Sequence, residues 1–329
     1  MKALLFSLLM IWMGATPNAL ADEASYNKMK TDVETLFHMN GDFVDVKIAI
    51  DKLVDPTIDE QALREQFNDY MTPLTLMMQG VDLDHERLNV IKRFLFEAGQ
   101  WNEHRILRYD FSDPFAKISK HRFLTYTLTE RLGNCVTMPS LMLLLGKKFG
   151  LKITLSILPR HTFNKFTDEL NRTWNLEATS GGGYMRESHY REQFQFSEKA
   201  VETGAYLSAL TDEQTIALMA QFIPEWLMQH DKPEEAIAAY DVILKHFPND
   251  VFAWVGRGSS FAMILNRDFS SKFKSFDEMT PEEKQSALFL SEMNKYNFDQ
   301  AEALGWTETD DLKSEIQSVA QEQKQWKKR

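Results

Sequence analysis

The chain has 329 residues, enough for two domains of ordinary size. Hydrophobic residues make up 43% and charged residues 26%, with 14 Gly and 10 Pro, which excludes collagen-like, mucin-like and largely disordered chains. A formal charge of −11, from 37 basic and 48 acidic residues, argues against nucleic acid as a partner, and the single cysteine, Cys135, excludes an intramolecular disulfide and zinc sites built from several thiolates.

Lys2, the apolar run Ala3 to Ala15, and then Ala19-Leu20-Ala21 have the order of a secretory signal peptide. Residues 1–21 are therefore expected to be removed, leaving Asp22 first and no stable membrane anchor. An uncleaved anchor is the alternative, but the run is shorter than the ~20 apolar residues of a spanning helix. In an oxidising compartment a lone thiol is either buried and inert or kept free for chemistry.

From residue 22 to 110 the pattern predicts helices over Ser25–Met39, Asp42–Leu53, Glu60–Met78 and His85–Ala98, punctuated at Asp55-Pro56 and Thr72-Pro73. Asp110–Pro114 reads as a turn, followed by a helix through Leu128. Leu141–Leu145 is apolar all round and predicts a buried helix, closed by Gly150. Alternation at Ile153, Leu155 and Ile157 predicts a strand. His161–Phe166 and Trp174–Thr179 follow as further strands, joined by a turn at Asp168–Arg172, and Gly181–Gly183 closes the segment. Glu213–Gln229, Lys232–His246 and Val251–Leu265 read as helices. The stretch Ala217–Asp250 has the ~34-residue length of one tetratricopeptide unit. A polar stretch, Asn266–Lys284, precedes a last helical segment, Ala287–Leu304.

Cys135 opens the buried helix, where the helix dipole favours a thiolate and first-turn amides are free to stabilise an oxyanion. Asn134 is suited to cap that helix. A small apolar residue filling a tight helix start is the plainer reading of the cysteine. His161 begins the next strand but one and is a candidate base for the thiol. Asn175 and Glu177 share one face of the third strand, opposite Trp174 and Leu176, and either suits the role of orienting the imidazole. Other signals are weak. None of the 8 His forms a His-Glu-x-x-His pair, and Gly181–Gly183 lacks the Lys-Ser/Thr of a phosphate loop. Asp82-Leu83-Asp84 lacks the distal ligands of a calcium loop, and the Met-rich pieces suit core packing. No cofactor and no metal are expected.

The stretches ERLGNCVTMPSLMLLLGKKFGLKITLSILPRHTFNKF and TWNLEATSGGGY resemble the transglutaminase-like core family, within the papain-like cysteine-enzyme superfamily. LNVIKRFLFEAGQWNE and DFSDPFAKISKHRFLTYTLTERLG resemble the segment before that core in a bacterial branch that often carries tetratricopeptide repeats behind it. The resemblance implies an α+β fold: a helical region over 22–110, a papain-like core over 111–205, and a repeat-like helical region over 206–329. It implies Cys135 as nucleophile, His161 as base and Glu177 as the acid. The family strand normally reads Trp-x-x-x-Asp-Pro-Thr, whereas this one is a residue shorter, so Asn175 stays open as the orienting residue. Two functions follow as expectations. One is an exported, periplasmic cysteine hydrolase of a peptide, isopeptide or other amide bond, with amine transfer as a variant. The other is a catalytically silent adaptor that binds a protein partner through its repeat-like helices.

Overall fold

The structure, a computed structural model, describes residues 17–39 and 42–308. The apolar run Ala3–Ala15 and the basic terminus Lys327–Arg329 lie outside them. The described chain is α+β, with a small antiparallel sheet among many helices. Among the described residues no helix is long and apolar enough to cross a membrane.

Helix α1 spans Pro17–Phe37, α2 Phe43–Val54, α3 Glu60–Met77 and α4 Asp84–Phe96. Asp42 and Asp59 cap α2 and α3 by accepting from first-turn amides. Pro73 lies inside α3, which runs through it as the pattern over Glu60–Met78 predicts. Burial of Leu63, Phe67, Tyr70 and Leu74 on both sides of it outweighs the lost amide donor.

A short strand β1 (Arg108–Tyr109), helix α5 (Leu124–Glu130) and strand β2 (Leu132–Gly133) follow, with β1 and β2 parallel. The Asp110 amide extends this pairing by donating to the Gly133 carbonyl at 2.7 Å. The turn after Asp110 is tied down by its own carboxylates. Asp110 accepts from Ser112 and from the Tyr126 hydroxyl, and Asp113 from the amides of Lys117 and Ile118.

Helix α6 (Thr137–Lys148) is buried from Thr137 to Gly146, as an all-apolar run requires. It packs on strands β3 (Lys152–Leu158) and β4 (His161–Thr167). Strands β5 (Thr173–Glu177) and β6 (Gly183–Met185) complete an antiparallel sheet in chain order. The free edge of β3 is met by the amides of Leu207 and Leu210, which donate to Ile157 and Leu155. The third strand stops two residues earlier than its sequence suggested, because Ala178–Ser180 turns as a 3-10 helix. The glycines read as a closing turn instead feed β6, with Gly181 and Gly182 in the left-handed region. Short helices α7 (Glu187–Gln193) and α8 (Glu198–Glu202) follow the sheet.

The expected helix over Glu213–Gln229 is broken in two, α9 (Asp212–Ala220) and α10 (Phe222–Gln229). Pro224 has no amide hydrogen and its ring crowds the carbonyl of residue 220, which places the break there. Helices α11 (Pro233–His246) and α12 (Val251–Leu265) match their predicted bounds within a residue. A π-helical turn over Asn266–Ser270 and a 3-10 turn over Phe276–Glu278 then lead to α13 (Pro281–Ala303).

The chain divides into two compact units that cut across the expected domain order. Ala220–Ala301 form one unit with the described residues before 40; residues 42–219 and 302–308 form the other. The region 22–110 is thus divided, because α1 finds its packing partner on α11. Tyr26 donates to Asp241, Lys245 to Glu34 at 2.6 Å, and Phe37 stacks on His246 at 3.7 Å. Asp241 and Asn297 accept from Arg257 inside the same unit, whose apolar core includes Ile237, Phe261, Ile264, Leu290 and Met293.

Candidate active site

The start of α6 is built by Asn134. Its Oδ1 accepts from the amides of Val136 and Thr137, both at 3.1 Å, and its carbonyl accepts from Met138. Gly133 precedes it for a steric reason: a Cβ there would stand 2.6 Å from Met138 Cγ and 2.9 Å from Thr137 Oγ1. Cys135 therefore sits in the turn that enters α6, two residues before Thr137 and near the positive end of the helix dipole. It is buried, with 4% of its surface exposed.

Strand β4 returns to this helix through a two-residue connection, Pro159-Arg160, between the paired residues Leu158 and His161. Arg160 is in the left-handed region, φ 54°, and its carbonyl lies 3.6 Å from Cys135 Sγ as an acceptor for the neutral thiol. His161 follows at once, and its ring stands near enough to Cys135 for the thiol to contribute to the imidazole's electrostatics. On its other side, His161 Nε2 meets Glu177 Oε2 at 2.8 Å. With Nε2 engaged by the carboxylate, Nδ1 is the ring nitrogen left for the thiol.

Glu177 is fixed at both oxygens. Its Oε1 accepts from the Thr179 hydroxyl at 2.6 Å and the Thr179 amide at 3.2 Å, and its Oε2 also accepts from the Tyr190 hydroxyl at 3.3 Å. Burial works against charge on both partners, yet their mutual attraction prevails. For His161, desolvation is outweighed by the Glu177 carboxylate and the Cys135 contact, and the imidazole is pushed up to about 10. For Glu177, the cost of burial is outweighed by the His161 charge and the Thr179 donors, and the carboxyl is held below its ordinary range.

The structure thus brings Cys135, His161 and Glu177 together. It does not bring Asn175 to them. Asn175 lies on the same face of β5, but its Oδ1 accepts from Lys165 Nζ at 2.9 Å and its Nδ2 donates to the Met185 carbonyl. One pleat of the strand, two residues, decides between the candidates: Glu177 reaches the imidazole and Asn175 does not.

Residues beyond the sequence reading complete the site. Phe194 stacks on the His161 ring at 5.2 Å, and Tyr190 packs on Phe163 at 4.5 Å. Their four-residue spacing, which places two side chains on one helix face, is the signal that was available. Among the described residues no group of three or more His, Cys, Asp or Glu stands close enough to hold a metal ion.

No protein-family model matches the chain, and the comparisons with curated proteins and with solved structures found no match.

Proposed function

We propose that the chain is an exported, transglutaminase-like cysteine enzyme with a papain-like core, acting as a hydrolase of a peptide, isopeptide or other amide bond. The observation that carries this reading is the buried His161–Glu177 pair beside Cys135, at the approach to a buried helix. In the reaction, the Cys135 thiolate attacks the carbonyl carbon, and the C–N bond breaks as the His161 imidazolium gives its proton to the leaving amine. The neutral imidazole then takes a proton from water as that water attacks the thioester. The proton stays on His161 as the tetrahedral adduct collapses and the C–S bond breaks, so Cys135 leaves as the thiolate, the acid product is released, and the thiolate–imidazolium pair is restored. Glu177 keeps the ring oriented and stabilises its positive charge throughout. The Cys135 amide, in the turn that enters the helix, would supply an oxyanion donor. An amine in place of water would make the same thioester a transfer intermediate.

The reading is tested by alkylating the one thiol as a function of pH. His161→Ala should lower the rate at pH 6 by about tenfold or more. A rate that follows an ordinary thiol, and is indifferent to His161, would remove the basis for catalysis.

A second reading is favoured by the burial of the thiol: a catalytically silent periplasmic adaptor that binds a protein partner through tetratricopeptide-like helices. An unreactive thiol together with capture of a partner by Ala220–Ala301 would select it.

A further inference from the structure

Helix α7 contributes a residue to the site that neither the thiol nor the imidazole touches directly. Tyr190 is buried, 1% exposed, and its hydroxyl lies 3.3 Å from Oε2 of Glu177, the same oxygen that meets His161 at 2.8 Å. The other oxygen is held from within its own turn, by Thr179. A carboxylate held at one end only can still turn about that end. Beside His161 itself, Tyr190 is a donor from outside the turn, thirteen residues on in the chain, that acts on the end facing the imidazole.

The ring is set by packing and not by the hydroxyl. It lies against Phe163 at 4.5 Å and tilts toward His161 and Phe194 at 6.4 and 6.3 Å. Phe194, four residues on, donates its amide to the Tyr190 carbonyl at 2.8 Å and lays its ring along the imidazole. One short segment therefore touches both members of the His161–Glu177 pair. Burial and the Glu177 charge push the Tyr190 phenol well above its ordinary range, so the hydroxyl stays a donor.

The geometry points to Tyr190 as a positioning residue: its hydroxyl holds Glu177 Oε2 where it meets His161 Nε2, and so keeps the other ring nitrogen on Cys135. The role rests on the catalytic reading above. Its test does not depend on turnover.

The full chain, carrying 13C-labelled histidine, is titrated by NMR as wild type and as Tyr190→Phe. That change removes one oxygen and keeps the ring. Positioning predicts that the freed carboxylate loosens its hold, and the His161 midpoint falls from about 10 by about one unit, a tenfold weaker hold on the proton. The melting temperature should stay within a few degrees, and Phe163→Leu, which loosens the ring but leaves the hydroxyl, should move the midpoint less. An unchanged midpoint would overturn the proposal. So would a rise, which would mean that the hydroxyl merely competes with His161 for Oε2. A fall equalled by Phe163→Leu would overturn it too, as a packing effect. Thiol alkylation on the same samples separates the two readings: a falling His161 midpoint with an ordinary thiol would retain the positioning role and discard catalysis.

Discussion

At the scale of single residues, the site is a buried ion pair whose two members titrate in opposite senses. His161 is raised, so its share of stability is full below the ordinary value near 6.5 and is lost as pH climbs through about 10. Glu177 is lowered, so its share is present above the ordinary carboxyl value and is lost in acid. The two windows overlap at mildly acidic pH. Glu177→Gln should therefore destabilise most near pH 6, by on the order of 3 kcal/mol. The penalty should shrink steadily toward pH 10. Thermal melts of both proteins across that range would check it, and a penalty that does not vary with pH would mean that the pair is not ionised. Asn175→Ala should leave the alkylation profile unchanged, since its polar atoms are taken by Lys165 and Met185.

At the scale of elements, helix α6 positions the thiol, and α7 with Phe194 after it covers the His161–Glu177 pair. The cap by Asn134 fixes where α6 begins, and Asn134→Ala should cost about 1 kcal/mol. The cover is made by few groups: most of α7 is exposed, with Tyr190 its buried residue and Phe194 following at its end. Removing one ring should therefore open the site more than it destabilises the fold. Phe194→Ala is expected to speed alkylation at pH 7 by about tenfold, equivalent to ~1.4 kcal/mol of opening. Hydrogen exchange should show amides 187–193 less protected than those of β4. An unchanged alkylation rate would mean that Phe194 is not the barrier to the thiol.

At the scale of the whole molecule, the chain builds two units, and the titration of one should leave the other's chemistry alone. Asp250 caps α12 from a buried position, accepting from the amides of Phe252 and Ala253 and from Gln221. Burial, only partly offset by those donors, pushes its carboxyl up to about 7. A raised carboxyl costs stability as pH rises from the ordinary value through 7. Asp250→Asn keeps an acceptor for the cap and removes the charge. It should stabilise the unit of Ala220–Ala301 at pH 8, on the order of 1 kcal/mol, and have little effect at pH 5. Scanning calorimetry at both values would check this. The Cys135 alkylation profile should not change.

The sequence by itself determined the order of elements through the site: a buried helix opened by Cys135, then a strand opened by His161 and a further strand that carries Glu177. Alternation of period two, an all-apolar helix and a polar cap are local patterns, and local patterns survive without knowledge of the partner. It also placed Asn175 and Glu177 on one face, because the pleat does that for any strand. Which of them meets the imidazole was not legible, since that depends on the antiparallel register that sets Lys165 opposite Asn175. The break at Gln221 and the early end of β5 were not legible for a related reason: backbone crowding and local turns cut elements that a pattern of apolar residues carries on. Tertiary structure alone decided that α1 packs on α11, and that Tyr190 and Phe194 reach the site. Those contacts join residues distant in the chain, and side-chain packing in three dimensions is what selects them.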